Sequence, residues 1–475
     1  MGHIVGANRN QVTIGCLDEL VAAESPARQI DRLIDEADTS YFGKSEAKAV
    51  GRPPFNPKDM LKLYIYGVDN GVNSSRKLER ECKRNVEAMW LMNGLQPDDK
   101  TICNFRKDNA EQLVRFFNEF CVTLAKAGYI DGKIVAIDGT KIRANNSKKN
   151  NFCAKRLDER IERIDKKIAE YMGELDKNDK IAELEERKAK YGEYRECIKS
   201  GEVTEVSVTD PDSRLMKQSN NGMDVSYNVQ TAVDGKHKLI TGVSVTNSPA
   251  DQGQLHKVAK AVKDNLGLEE TTVVADKGYY SIDDIQACHE DNITTIVAVP
   301  EERTDKEAGF KKSDFKYDKE NDCYICPAGQ ALSFSYNDRK NLKRYKNDKA
   351  CKNCPLKAKC TKSNRREIAR HKHEEAAEKN DIDFKNNYDI YRLRQQLCEH
   401  PFGTVKRTMG IRQFLLRGIT NVSAEAALIF LAYNLKRLRN IDKNGTKKAE
   451  ESVQSFRLFV AYCILRYIYG VYRNN

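Results

Sequence analysis

Apolar residues first settle into a helical rhythm after a break in the chain at "GRPPFNP". Met60, Leu61, Leu63, Tyr64 and Tyr66 recur at helical spacing behind Asn56-Pro57, a pair that predicts a capped helix start with proline in the first turn. Residues 17–50 carry a weaker helical pattern. "NSSRKLERECKRNVEAMWLM" predicts two more helices. "QPDDKTICNFRKDNAEQLVRFFNEFCVTLAKAGYI" predicts a turn, with Asp99 or Thr101 as cap, and a long amphipathic helix. This all-α stretch, residues 1–130, suits helix-turn-helix DNA binding; a plain helical bundle fits the pattern equally well.

The pattern changes at residue 134. Ile134 to Ile137 form a β-branched run that predicts a buried strand ending in Asp138-Gly139. From 155 to 199 nearly every third residue is charged, yet Leu157, Ile161, Ile164, Ile168, Tyr171 and Leu175 step as a heptad seam. Ile181, Leu184, Tyr191, Tyr194 and Ile198 resume it after "DKND". Two antiparallel helices are expected there, forming a hairpin inserted at 153–202. A solvated arm is its simplest role, and DNA or partner contact the second. Strand patterns return in "MDVSYNVQTAVD", "HKLITGVSVTN", "TTVVADKGYY" and "TTIVAVP", with an Asp-Gly hairpin turn and interleaved amphipathic helices. Residues 131–152 and 203–300 therefore predict an α/β core, with three leading antiparallel strands and later parallel ones.

Composition adds three constraints. The 81 Lys and Arg outnumber the 70 Asp and Glu, and the net charge of +11 points toward a polyanion such as nucleic acid, weakly on its own. A mean hydropathy of −0.69 argues against a membrane protein, and the start shows no secretory pattern. "FRLFVAYCILRYIYGVY" (Phe456 to Tyr472) is marginal for a span and carries Arg457 and Arg466, so a docking helix is expected in 441–475 and the cytoplasm is the default compartment. Nine of the 14 cysteines are scattered; five cluster at Cys323, Cys326, Cys351, Cys354 and Cys360, which in a reducing compartment points to metal.

Asp138 and Asp276 each follow an apolar strand, where open α/β sheets assemble their sites. A lone Asp there is more often a turn residue; two in matching surroundings suggest a pair. Glu399, on a predicted helix ahead of Lys406 and Arg407, adds a third carboxylate. Three gathered carboxylates ionise together only with divalent cations, and oxygen ligands favour two Mg²⁺ (or Mn²⁺) ions about 3.5–4 Å apart for phosphodiester displacement. The two CxxC pairs, Cys323/Cys326 and Cys351/Cys354, predict a structural Zn²⁺ site, and spacing alone favours Cys323 over Cys360. His371 and His373 are remote candidates as ligands; Arg412, Arg417, Lys436 and Arg437 are candidates for a DNA channel, with core packing the default.

Tyr391, Arg394, Glu399 and Lys406 in "YRLRQQLCEHPFGTVKR" follow the rhythm Y-x2-R-x4-E-x6-K, which resembles the C-terminal signature of DDE transposases of bacterial insertion sequences. The spacing matches the variant of insertion-sequence family eleven-eighty-two and departs by one residue from the best-known form. "VAIDGTKIRANNS", "MDVSYNVQTAVDGKHKLITGVSVTNSPADQGQL", "VVADKGYYS" and "GIRQFLLRGITNVSAEAALIFLAYNLKRL" are similar to further blocks of that group. The resemblance implies a ribonuclease-H-like mixed sheet core with an all-α N-terminal domain, a helical-hairpin insertion and a four-cysteine zinc insertion at 301–370. The helix carrying the Glu, with its packing helices, would fill 371–440.

It implies catalysis by Asp138, Asp276 and Glu399 with Mg²⁺, cleavage at transposon ends and attack of the freed 3′-OH on target DNA. Tyr391, Arg394, Lys406 and Arg407 would contact DNA, and Cys326, Cys351, Cys354 and Cys360 would hold zinc. The implied partners are double-stranded DNA, as terminal inverted repeats and target, and further copies of the chain in a homodimer or larger synaptic assembly. The setting would be the bacterial cytoplasm at the nucleoid, with no membrane partner. Two other readings compete: a non-catalytic zinc-containing DNA-binding regulator, and a stand-alone metal-dependent DNA nuclease.

Overall fold

The computed structural model describes residues 15–43, 53–172, 178–201, 204–218, 222–300 and 309–444. The apolar stretch 456–472 lies outside them. The chain divides into two compact units: one takes the chain through Gly132, Gly139–Pro249 and everything from Leu397, and the other takes Lys133–Asp138 and Ala250–Gln396.

The first unit opens with seven helices: α1 (Leu17–Leu20), α2 (Pro26–Glu36), α3 (Pro57–Asp69), α4 (Ser75–Arg84), α5 (Val86–Leu91), α6 (Asp99–Asp108) and α7 (Ala110–Lys126). The Asn56 side chain accepts from the Lys58 N–H with Pro57 in the first turn, as the sequence predicts. At α6 the cap is Asp98, one residue earlier than expected; its carboxylate accepts from the Thr101 N–H at 2.6 Å.

Next comes β1 (Ile134–Arg143), ten residues long. Asp138 is therefore in mid-strand and not at a strand end. Gly139 does not stop the strand because buried Thr140 and Ile142 keep the alternation going beyond it. The chain continues through β2 (Asn151–Phe152), α8 (Ala154–Tyr171), α9 (Asn178–Lys199), β3 (Val206–Ser207), β4 (Arg214–Lys217), β5 (Met223–Asp234) and β6 (Ile240–Thr246). Helices α8 and α9 pack along each other. Buried Leu157 and Ile164 of α8 fall on the predicted seam. Strands β4, β5 and β6 pair antiparallel, with β5 central and β1 as its neighbour.

The second unit adds α10 (Leu255–Leu266), β7 (Thr271–Ala275), α11 (Ile282–Glu290) and β8 (Ile293–Val297). Strand β7 pairs in parallel with the first residues of β1 on one side and with β8 on the other. Parallel strands covered on both faces must be apolar, and Val273, Val274 and Ala275 are completely buried. A five-stranded antiparallel sheet follows, ordered β13-β12-β11-β10-β9, from β9 (Lys316–Asp318), β10 (Cys323–Ile325), β11 (Ala331–Asn337), β12 (Lys343–Lys346) and β13 (Glu367–Arg370). Short helices α12 (Asp348–Lys352) and α13 (Lys357–Cys360) sit between its last two strands in sequence. Its core is small: Phe315, Tyr324, Leu332, Tyr345 and Ile368. The Tyr345 and Tyr317 hydroxyls donate to Asp322 at 2.5 and 2.7 Å, and these bonds hold its carboxyl below the usual range.

Helices α14 (Glu374–Asn386) and α15 (Tyr388–Gly403) close the unit, the second running past Gln396 into the first unit. In α14, Asn380 clamps β8 by donating to the Val297 carbonyl at 2.9 Å and accepting its N–H at 3.0 Å. Within the first unit, the long α16 (Ile419–Asn444) packs against α3, α7 and β6. Leu428, Ile429, Phe430 and Leu431 are buried, each contributing about 1.5–3 kcal/mol. Lys436 reaches Asp69 at 3.3 Å, Arg439 pairs with the same carboxylate, and Arg437 donates to the His237 carbonyl at 2.9 Å. These cations lock α16 in place, which is the core-packing role.

Parallel and antiparallel pairing thus coexist within a mixed α/β fold. Among the described residues no helix is long and apolar enough to cross a membrane.

Candidate active site and thiol cluster

Backbone register brings the two aspartates together. Ile134, Val135 and Ala136 of β1 face Thr272, Val273 and Val274 of β7. Two residues further along each strand stand Asp138 and Asp276. Neighbouring strands are about 4.8 Å apart, so the two residues stand at adjacent backbone positions within the second unit. Asp276 remains extended just past β7 and caps a 3-10 turn over Lys277–Tyr279, accepting the Gly278 N–H at 2.6 Å. Residue 278 must be small: a Cβ there would come 2.9 Å from Asp276 Oδ1 and 3.9 Å from Asp251 Oδ2. Asp251 therefore stands close by, a carboxylate that sequence reasoning missed. Its only signal was an acidic residue in the loop leading into α10.

Helix α15 carries Tyr391, Arg394 and Glu399. Arg394 approaches Asp138, with its guanidinium 3.5 Å from Oδ2 and both side chains largely shielded from solvent. It also lies over the Tyr391 ring, 5.8 Å from the centroid. Tyr391 meets Phe384 edge-on at 4.8 Å and stacks with Tyr388 at 6.0 Å, so it packs helix on helix. Glu399 follows five residues after Arg394 and belongs to the other unit. Buried Pro401 lies inside α15 without ending it, and the chain passes directly into a wider π-type turn over Thr404–Thr408. From that turn Lys406 donates to Thr140 Oγ1 at 2.6 Å. Burial, and then the nearby Lys141 charge, push the Lys406 amine below its ordinary range. Arg407 is exposed.

Burial raises the Cys360 thiol; Arg366 opposes this, and the thiols of Cys351, Cys326 and Cys354 add to it, so those four sulfurs share one neighbourhood. Cys326 opens a tight turn after β10, in which its carbonyl accepts the Gly329 N–H at 2.8 Å and its Sγ accepts the Gln330 N–H at 3.4 Å. Cys323 is buried in β10; its thiol is raised by burial and then by Asp318 and Asp322. His371 turns its Nδ1 to the His373 N–H at 3.2 Å and its Nε2 toward Asp283 at 3.7 Å, a local polar role. Among the described residues, no three His, Cys, Asp or Glu side chains gather closely enough to grip a metal ion as they stand.

Residues 325–439 match the family described as Transposase DDE domain, and residues 15–108 match a second transposase domain, DUF772. Over these two segments the chain is similar to transposases of the DDE type. The DDE match spans Tyr391, Arg394, Glu399, Lys406, Cys326, Cys351, Cys354 and Cys360, and it begins after Asp138 and Asp276. The DUF772 match covers the helices from α1 to α6. No curated protein and no solved structure matches the chain.

Proposed function

We propose that this chain is the transposase of a bacterial insertion sequence of the eleven-eighty-two type, cutting DNA at the element's ends and joining the freed 3′-OH to target DNA. The observation that supports the reading is the parallel register of β1 with β7, Ala136 facing Val274, with Asp138 and Asp276 each two residues further on, in a chain that matches a transposase DDE domain. Glu399 is the third acid. Asp138, Asp276 and Glu399 would hold Mg²⁺ or Mn²⁺, which would supply Lewis acidity to a bound phosphodiester.

The chain's own groups do the rest. Arg394 balances the Asp138 charge before substrate arrives and lies beside the scissile phosphate afterwards. Lys406, whose amine is lowered by burial and then by the Lys141 charge, is stabilised in its charged form by an incoming phosphate. Tyr391 and exposed Arg407 complete the grip on the DNA ends. Cys326, Cys351, Cys354 and Cys360 form a donor set that suits structural zinc, four thiols around short turns under a core of five residues that is too small to stand alone. Double-stranded DNA is the substrate, and a dimer or larger assembly of the chain holds two ends.

The test is cleavage of DNA bearing the element's flanking repeats by the purified protein with Mg²⁺. Asp138→Asn should abolish cleavage and leave binding to those ends intact. Wild-type cleavage by that variant would overturn the assignment.

A further inference from the structure

The base of the α8–α9 hairpin holds a concentration of positive charge that the catalytic reading does not use. An open concavity of about 320 Å³ is lined by Lys148, Lys149, Arg156, Arg160 and Arg163 together with Glu159. The two arginines nearest the sheet are fixed. Arg156 donates to the carbonyls of Lys148 at 2.7 Å and Asn151 at 2.9 Å. Arg160 donates to the Tyr191 hydroxyl at 3.0 Å and the Lys149 carbonyl at 3.3 Å, while its guanidinium lies over the Phe152 ring at 4.9 Å. These contacts anchor the short turn over Lys148–Asn150, where both lysines are exposed.

Elsewhere on the hairpin, cations meet acids: Lys166 with Glu162 at 2.8 Å, Lys188 with Asp165 at 2.5 Å, Arg195 with Asp158 at 2.6 Å. Lys148 and Lys149 have no carboxylate partner among the described residues. Like charges left together repel, and an anion bound among them relieves that repulsion beyond what the single Glu159 of the lining does. The lining contains no apolar side chain that would hold a nucleobase or other organic body, which small-molecule pockets require. An open wall of pre-positioned guanidiniums and free lysines suits consecutive phosphates of a passing polyanion.

We propose that the hairpin base is a sequence-independent docking site for the DNA phosphate backbone, separate from the catalytic carboxylates. It rests on the reading that the chain acts on DNA. The experiment measures binding of fluorescent duplex DNA by the full chain between about 50 and 200 mM salt. Wild type is compared with Lys148→Ala/Lys149→Ala and with a control, Lys166→Ala/Lys188→Ala, that removes paired lysines from the same hairpin.

The cradle variant should bind more weakly by the same factor on element-end and scrambled duplexes, with the slope of log affinity against log salt reduced by about 2. The control should keep the wild-type slope. An unchanged slope in the cradle variant, or an equal drop in the control, overturns the proposal and leaves the transposase reading standing. Cradle variants that lose only inorganic tripolyphosphate, with DNA affinity intact, would make this a small-anion site and also overturn it. A wild-type chain that binds no duplex at any salt would remove the transposase reading and this proposal together.

Discussion

Gly278 offers a way to test the role of Asp276 without touching its carboxylate. Its backbone lies in a 3-10 turn, outside the left-handed region, so alanine is conformationally allowed. The added Cβ would nevertheless lie 2.9 Å from Asp276 Oδ1, well inside normal carbon–oxygen contact. The side chain of Asp276 must swing away, because the other neighbour, Asp251 Oδ2 at 3.9 Å, leaves the Cβ no reason to move. Swinging breaks the 2.6 Å bond from the Gly278 N–H, a cap worth about 1 kcal/mol. Stability should therefore fall by roughly that amount, within about 0.5–2 kcal/mol, in chemical denaturation. Catalysis should fall much further, since a misplacement of about 1 Å costs on the order of 100-fold in rate. Gly278→Ala is thus expected to be folded, to bind DNA, and to cleave it with a rate at least about 100-fold reduced. Cleavage within a few-fold of wild type would refute the claim that the position of this carboxylate matters to the reaction.

Metal analysis separates the cysteines. Cys354→Ser should lose zinc from a chain that otherwise carries about one ion, whereas Cys323→Ser should keep zinc and lose only stability, because its buried thiol faces Asp318 and Asp322. Equal zinc loss in both would put Cys323 back among the ligands. Asp291 gives a pH signature: the hydrogen bond from Lys260, and then that from His256, depress its carboxyl to about 2. A depressed acid stabilises the fold above its unfolded value of 3.8, and that contribution is lost as the pH falls through about 2. An Asp291→Asn variant should show a flatter acid limb in stability between those values, and an unchanged limb would contradict the assignment.

Local rules written in a few neighbouring residues were legible in the sequence. The Asn56-Pro57 start of α3, the β7–Asp276 junction and the parallel pairing of β7 with β8 all follow from such rules. Asp138 shows where they fail. Asp-Gly after four β-branched or small residues reads as a strand terminator, yet β1 continues to Arg143, because pairing along the sheet outweighs a local turn preference. Pro401 shows the same in a helix: it lies within α15, where local propensity alone would end the segment. Spacing alone does not tell Cys323 from Cys360; their surroundings differ, Cys360 lying near Arg366 and the other thiols and Cys323 near Asp318 and Asp322. Lys436 and Arg437 are candidates for a DNA channel in sequence, with core packing the default; Lys436 meets Asp69 and Arg437 the His237 carbonyl. Asp251 and Thr140 become visible only as neighbours of Asp276 and Lys406.

The most direct test counts divalent ions. Mn²⁺ binding, followed by electron paramagnetic resonance in the presence of end DNA, should give two ions per wild-type chain. Asp138→Asn, Asp276→Asn and Glu399→Gln should each lose at least one of them. Three variants that bind Mn²⁺ as the wild type does would contradict a shared metal site built from these acids.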